Sequence, residues 1–484
     1  MRLKIFLVFL YVLFTFLLFF FFEGSVALWM SFFVNALMVF GIMWFHLFVE
    51  REYSPFLSAY IVFNFLFFTV APVVQITSFE GTNPEYTNYF PHKDSIAIYA
   101  NTLISIFHVV FFMGYLFFKK FGRSRKKPVP SQFSYRALPV TIVIIAVFTA
   151  LIFLASYTFV NDEISRPAWK KSVFSPGVQL LWKKVFFMVP FAGIALCVQY
   201  FRKKGKKALN TLMIVATLFF FFVLLMWFKN PLTEKRNALG PIYICFIFLF
   251  TPRLLNSNTK TLFFLFLTMI VVFPLSAVFT HTDASFEEIT KDPSIFFEQM
   301  KGGGIASAFN TLNYDAFSNI MATIDFVRDY GFSMGYQLLS AFLFFVPRSL
   351  WEAKPYTTGQ VVGEHLMEKH DFAYFNLSNP MVSEGYVNFG IFGVILMAIA
   401  LGFVIVRLFS WLQSEDYLKK IMAFYFALHL LFLLRGDFGN GFSYYIGPLL
   451  GVIAIPRMIE YFTKQLILKQ KAWKRSKTQA HLEQ

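Results

Sequence analysis

The sequence predicts an all-α, polytopic membrane protein with about twelve transmembrane helices and one large external loop. Three observations carry that prediction. Of 484 residues, 57% are hydrophobic and only 14% are charged, where soluble globular chains carry about a quarter charged. Seventy residues are Phe, many in runs such as Phe19 to Phe22 and Phe219 to Phe222. The apolar stretches reach the roughly 20 residues a helix needs to cross a bilayer. They are apolar on all sides, unlike the roughly 10-residue alternating strands of a membrane barrel. Lipid offers the backbone no hydrogen-bond partners, so helices are the consistent answer.

Along the chain, spanning segments are expected at 5–22, 26–48, 56–77, 95–118, 138–159, 184–201, 208–228, 238–252, 261–280, 387–406, 420–434 and 441–459. The first follows only Arg2 and Lys4 and resembles a signal peptide. It is too long and too apolar for one, lacks a small-residue cleavage site, and runs into another span, so it reads as a retained helix. Cys197 and Cys245 both fall in apolar runs, giving neither a disulfide framework nor a metal spacing. They read as lipid-facing or packing residues.

Orientation follows the Lys and Arg residues. One loop holds Lys119, Lys120, Arg123, Arg125, Lys126 and Lys127; another holds Arg202, Lys203, Lys204, Lys206 and Lys207. The tail adds Lys464, Lys469, Lys471, Lys474, Arg475 and Lys477. These alternate correctly when both termini are cytoplasmic. The net charge of +16 is then mainly a topology signal; dispersed beside apolar spans, it does not form a nucleic-acid patch.

Four divisions result: helices 1–9 in residues 1–280, an external loop at 281–386, helices 10–12 in 387–460, and a basic cytoplasmic tail at 461–484. The polar stretch from His281 to Asn388 contains thirteen acids and six bases, a balance of −7 in a chain of +16. A loop that long is the expected seat of function. After Gly302–Gly304, apolar residues at Ile305, Phe309, Leu312, Ile320, Ile324 and Val327 approach helical spacing and predict an amphipathic helix. The run from Tyr336 to Val346, closed by Pro347, is too short to span and reads as re-entrant or interfacial.

Several chemistries lack their signatures. There is no Walker-type phosphate loop, no HExxH or Cys/His metal cluster, and no G-x-S-x-G elbow. Four external segments carry the remaining chemistry: Lys229 to Pro241, Phe344 to Pro355, Asn379 to Gly393, and Arg435 to Gly441. All lie at outer helix ends, so they are expected to converge on one cavity.

Ionisable groups at membrane depth are costly and usually functional. Arg236, Arg348 and Arg435 are forked cations suited to diphosphate oxygens. Glu384, set before a span, is the leading candidate for a general base, and Asp437 the second. Gly385, Gly390 and Gly393 allow close backbone approach. The plainer readings also stand. A lone Arg at a helix end is commonly a snorkelling anchor, and Lys183 and Lys184 read as anchors. Trp169, Trp182 and Trp351 fit an interfacial belt, and His429 a partner for another helix. His281, His365 and His370 read as solvated, with no metal expected.

The motifs Phe-x-Pro-Arg-x-x-Trp-x-x-Lys-Pro at 345–355 and Glu-Gly-Tyr-x-Asn-Phe-Gly-x-x-Gly at 384–393 resemble bacterial O-antigen and related polysaccharide polymerases of the Wzy type, the oligosaccharide repeat unit polymerases. The resemblance implies a GT-C-like glycosyltransferase at the outer face of the bacterial inner membrane. It implies transfer of a growing glycan from undecaprenyl diphosphate to an incoming lipid-linked repeat unit, without metal, nucleotide or other cofactor. It also implies a chain-length-regulating co-polymerase as partner, beside membrane lipids and the lipid-linked glycans. Catalytic roles are then expected of Glu384, Arg348 and Arg435, and substrate contacts of Arg236, Lys354, Tyr386, Asn388 and Asp437.

Two rivals share the substrate class. An O-antigen ligase has many spans and a large external loop, but the 345–355 motif favours a polymerase. A flippase predicts charges distributed inside several spans, plus repeats, whereas here the charges gather at one edge and one loop. The sugar, the linkage and the choice among O-antigen, capsule and exopolysaccharide are not encoded legibly.

Overall fold

The structure is a computed structural model that describes residues 1–122, 137–165, 172–202, 208–230, 234, 236–272 and 308–482. Outside the described residues fall the end of the 261–280 span, the loop from 281 to 307 with Ile305 and Gly302–Gly304, most of the basic segments 123–136 and 203–207, Trp169, and residues 231–233 and 235.

Among the described residues, ten helices are long and apolar enough to cross a membrane. They are α1 (Arg2–Phe20), α2 (Val26–Val49), α3 (Pro55–Thr77), α4 (Asp94–Phe121), α5 (Leu138–Ser165), α6 (Pro176–Phe201), α7 (Ala208–Phe228), α13 (Met381–Leu412), α14 (Tyr417–Arg435) and α15 (Phe438–Gln470). The eighth and ninth expected spans appear as shorter apolar helices, α8 (Arg236–Phe250) and α9 (Asn258–Val272). Between them and α13 stand α10 (Ala316–Tyr330), α11 (Tyr336–Phe342) and α12 (Thr358–His370). No strand occurs among the described residues. The protein is an all-helical, multi-pass membrane protein.

Among the described residues, four of the ten spans contain a wider, five-residue π-turn: Phe45–Val49 in α2, Leu66–Val70 in α3, Leu181–Val185 in α6 and Leu450–Ala454 in α15. Those in α3 and α15 contain the carbonyl four residues before a proline, namely Pro72 and Pro456. Proline has no N–H to give and its ring crowds the carbonyl four residues back. The preceding turn relaxes to absorb both effects.

The chain divides into two compact units, and α13, α14 and α15 contribute to both. The first comprises Met1–Ser124, Arg253–Val406 and Ala427–Phe442. Its centre is α3, where every residue from Pro55 to Phe65 is buried. Buried polar side chains there are paired across helices, as a bilayer requires. Asn35 Nδ2 donates to Asn101 Oδ1 at 2.8 Å, and Tyr60 hydroxyl meets His108 Nδ1 at 2.7 Å. The Glu50 carboxylate takes the Lys119 ammonium and the Tyr115 hydroxyl.

Helix α10 answers to the amphipathic prediction, shifted past a turn at Leu312–Tyr314. Ile320, Ile324 and Val327 are buried as the periodicity required, but so is every residue from Ala316 to Ile324. It is a packed helix and not an interfacial one. The run expected from Tyr336 to Val346 is helical only to Phe342 and finishes in turns, Val346 N reaching Leu343 O at 3.0 Å.

The second unit comprises Arg125–Pro252, Arg407–Phe426 and Ser443–Gln484. Its most enclosed stretch is Val189 to Tyr200 of α6, which includes Cys197; Cys245 is buried too. Both are packing residues. Arg457 pairs with Asp416 and, at 2.7 Å, with Glu460.

Candidate active site

Glu384 lies on a short half-helix. Inside α13 the backbone leaves helical geometry at Phe389 and Gly390, so the span expected from 387 is broken at its start. The half-helix before the break folds against the turn after it. A Cβ on Gly385 would sit 2.6 Å from the Gly393 carbonyl oxygen, and one on Gly393 would overlap the Gly385 carbonyl. Only glycine at both positions permits that approach. Asn388 Nδ2 ties the half-helix to itself through the Glu384 carbonyl at 2.8 Å.

The Glu384 carboxyl is buried. One oxygen accepts from Thr358 Oγ1 at 2.6 Å, at the start of α12. The other accepts the Phe438 backbone N–H at 3.2 Å. Its remaining neighbour is Asp437, whose side chain is its hydrogen-bond partner. Asp437 is 4% exposed and also accepts the Gly439 N–H at 3.1 Å. Burial pushes the Asp437 carboxyl above the usual carboxylate range, against the Thr357 side chain and the Gly439 N–H, which favour its charge. Two carboxyls this close hold a proton between them more readily than two charges. The arrangement can therefore take up and release one proton in a dry environment.

Arg435 ends α14 beside them in sequence. Its Nη2 donates to Leu312 O at 2.6 Å and to Asp315 Oδ1 at 3.1 Å. Asp315 is buried, and burial raises its pKa in spite of the arginine. Arg435 Nε is buried and without a partner among the described residues. The guanidinium is thus anchored by one edge and keeps donors to spare.

The end of α11, just before the second motif, meets the fourth through aromatic packing. Phe342 stands edge-on to Phe438 and Phe442, with ring centroids 5.9 and 5.2 Å apart. Lys354 directs its ammonium at the carbonyls of Leu343, Phe344 and Val346, at 3.1, 3.0 and 2.9 Å. All three of its donors are used, so it holds the loop's shape. Arg348 is exposed, bonds the Lys354 and Pro355 carbonyls, and lies over the Tyr356 ring at 4.1 Å. Tyr386 is buried edge-on against Tyr99 and Phe332.

Of the four external segments, the third and fourth meet inside the first unit, and the second lies in the same unit. The first, with Arg236 opening α8, belongs to the second unit. There Lys183 pairs with Glu163, Lys229 Nζ donates to Lys183 O at 2.7 Å, and Lys184 Nζ to Ser443 Oγ at 2.9 Å. Lys183 and Lys184 are therefore held by protein partners, which corrects their reading as simple anchors.

His365 was expected to be solvated and is instead 3% exposed, its Nε2 3.1 Å from Asp325 Oδ2. The enclosing packing of α12 on α10 accounts for the difference. Asp325, Asp329 and His365 stand close enough to hold a metal ion. The Lys369 ammonium already bridges both carboxylates at 2.7 Å each and supplies the cation such a cluster needs. The His365 hydrogen bond, with Lys369, holds the Asp325 carboxyl below its usual range. Its stabilisation is present at neutral pH and disappears as pH falls through that depressed value. Asp325→Asn is expected to cost about 1–3 kcal/mol at pH 7. Thermal unfolding should show the gap from the parent protein narrowing toward acid.

Sequence reasoning found Glu384, Asp437 and Arg435 but missed Thr358, Thr357 and Asp315. Their only signal was polarity in a loop.

No curated protein and no solved structure matches the chain. One family model does, over residues 377–466. That stretch contains the Glu384 half-helix, α14, Arg435 and Asp437, and stops short of the Arg348 motif. The matched model is described as O-antigen polysaccharide polymerase Wzy, so this stretch of the chain is similar to polymerases of the Wzy type.

Proposed function

We propose that this protein extends polysaccharide by transferring glycan from one undecaprenyl-diphosphate-linked oligosaccharide to the terminal sugar of another, at the outer face of the bacterial inner membrane. Polymerase function of the O-antigen type and glycosyltransferase chemistry on lipid-linked repeat units are supported by the family match. The donor linkage, the face and the residue roles are this proposal. The single observation that carries it is the buried Glu384–Asp437 carboxyl pair, inside the matched segment, where the third and fourth motifs meet.

The chemistry assigns the parts. An acceptor hydroxyl attacks the anomeric carbon of the donor. Its proton passes to the carboxyl pair, with Glu384 as base and Asp437 holding it in position. The carbon–oxygen bond to diphosphate breaks, and the electron pair leaves with the diphosphate. Preformed cations stabilise that departing charge. Arg435 offers its spare donors, and Arg348 is a further candidate of the same chemistry. Arginines in these roles make a metal ion unnecessary. Outward placement is supported by the basic residues concentrated in alternate loops, which also places both termini in the cytoplasm.

The test is reconstitution. Purified protein in proteoliposomes, given undecaprenyl-diphosphate-linked repeat units, should build a ladder of longer glycans. The ladder should persist in EDTA. Product appearing only with a divalent cation would overturn the metal-free chemistry. Transfer to lipid A core in place of a second repeat unit would make the protein a ligase.

A further inference from the structure

The first unit holds an apolar groove of about 660 Å³. That lies within the roughly 300–1,000 Å³ range of pockets that enclose small ligands. Helices α1, α3 and α9 wall it, with Leu10, Phe14, Val74, Leu267 and Phe309 among its lining. It follows α1 from Leu7 to Phe21, about 21 Å of helix at 1.5 Å per residue.

Three features set the groove apart from ordinary lipid-facing surface. First, α1 is seated loosely: only Leu7, Tyr11 and Phe19 of the helix are buried. The groove therefore opens sideways, where Phe14 and Phe21 are 55% and 64% exposed. Second, its middle offers no free polar group, since the Tyr11 hydroxyl is already given to Ala36 O at 2.8 Å. Third, its polar lining lies at one end only, at Thr77 and Ser78.

That end is continuous with the candidate active site. Asn310 Nδ2 bonds Ser78 Oγ at 3.0 Å, and Gln75 Nε2 bonds Phe309 O at 2.7 Å and Tyr314 O at 3.3 Å. Two groups of the same segment, Leu312 O and Asp315, hold Arg435. A chain lying in the groove meets, at its polar end, the segment that positions a guanidinium whose Nε has no partner among the described residues.

We propose that this groove holds the polyprenyl chain of the lipid-linked substrate, with its diphosphate at the Thr77–Ser78 end. The inference rests on the polymerase reading and adds to it the place of the lipid. An apolar tail with one anionic end is the occupant this pattern fits. Lipid tails are as apolar as Leu, so burial alone gives no preference inside a bilayer. Selectivity then comes from the groove's shape and from the cation that the 309–315 segment holds. A second apolar groove on the other face of α1, lined by Phe16, Phe20, Trp29 and Phe33, is not lined by any residue of the 309–315 segment. It serves as the internal control.

The experiment uses the full chain in nanodiscs of phosphatidylethanolamine and phosphatidylglycerol. The probe is geranylgeranyl diphosphate bearing a diazirine, with labelled peptides mapped by mass spectrometry. Label is expected on peptides carrying Phe14 and Leu267, displaced by undecaprenyl diphosphate and not by added phosphatidylglycerol. Val74→Trp with Leu267→Trp should lower labelling about tenfold, equivalent to 1.4 kcal/mol. Phe16→Trp should leave it unchanged. Should the double variant misfold, the milder Leu10→Phe replaces it and must still reduce labelling. Equal displacement by phosphatidylglycerol, label on the Trp29–Phe33 face, or labelling indifferent to filling the groove would each overturn the proposal. Binding is read without transfer, so a protein that labels as expected yet builds no glycan sinks only the polymerase reading.

Discussion

Glu384→Gln is expected to stop chain extension while leaving the protein folded. Glutamine keeps an oxygen that can accept the Phe438 N–H, now made at 3.2 Å. Its amide can also donate to the Asp437 carboxyl. The packing is isosteric, so the stability change should stay within about 1 kcal/mol. What is lost is a group that can take a proton. General base catalysis contributes roughly 10²–10⁴-fold, and a loss of that size turns a long glycan ladder into single repeat units. The readouts are glycan length on gels at matched protein level and the reconstituted transfer rate. A near-normal ladder from a folded Glu384→Gln variant rules out the base and returns Glu384 to a purely structural tie between α12 and the start of α15. The pH profile gives an independent check. Burial raises the Asp437 carboxyl, so the acid limb of transfer should lie above roughly pH 4, the range of an unperturbed aspartate. An acid limb at or below that range would contradict a buried, proton-sharing pair.

Much of this site was written in the sequence, but unevenly. Span positions followed from composition alone, because a bilayer imposes one rule on every lipid-facing residue. Pro72 and Pro456 even mark two of the places where the spans widen. Glu384 stood out because a carboxyl at a span boundary has no anchoring purpose. The break at Phe389–Gly390 was harder to read. Glycines at 385, 390 and 393 signal close approach without saying that the helix turns back on itself. Long-range partners were not legible at all. Arg435 and Asp315 lie 120 residues apart, and nothing local distinguishes Asp315 from twelve other acids in its region. Lys354 shows the converse. Its motif suggested a ligand contact, but three carbonyls from its own loop satisfy it. A cation in a motif can be retained for shape as readily as for charge.

Gly436→Ala is expected to disable the protein by a different route. Gly436 has a φ of +100°, where a side chain is strained. A Cβ there would overlap the Asn379 carbonyl oxygen. That neighbour cannot retreat easily. Asn379 Oδ1 accepts from Thr323 Oγ1 at 3.0 Å, and Ser378 O accepts from Asn319 Nδ2 at 2.8 Å, so α10 pins the segment from behind. Positive φ costs a non-glycine residue about 1–3 kcal/mol before any clash, and the overlap adds to it. Loss of more than about 2 kcal/mol of stability should accompany loss of polymer. Gly439→Ala is the control, since its Cβ would meet Ala341 at an ordinary 3.5 Å. Thermal unfolding and the glycan ladder together separate the cases. Glu384→Gln should lose activity at constant stability, Gly436→Ala should lose both, and Gly439→Ala neither. If Gly436→Ala unfolds like the parent and still builds long chains, the close seating of the 435–441 segment on Asn379 does not hold Asp437 against Glu384. The carboxyl pair would then lack the rigid support that its chemistry requires.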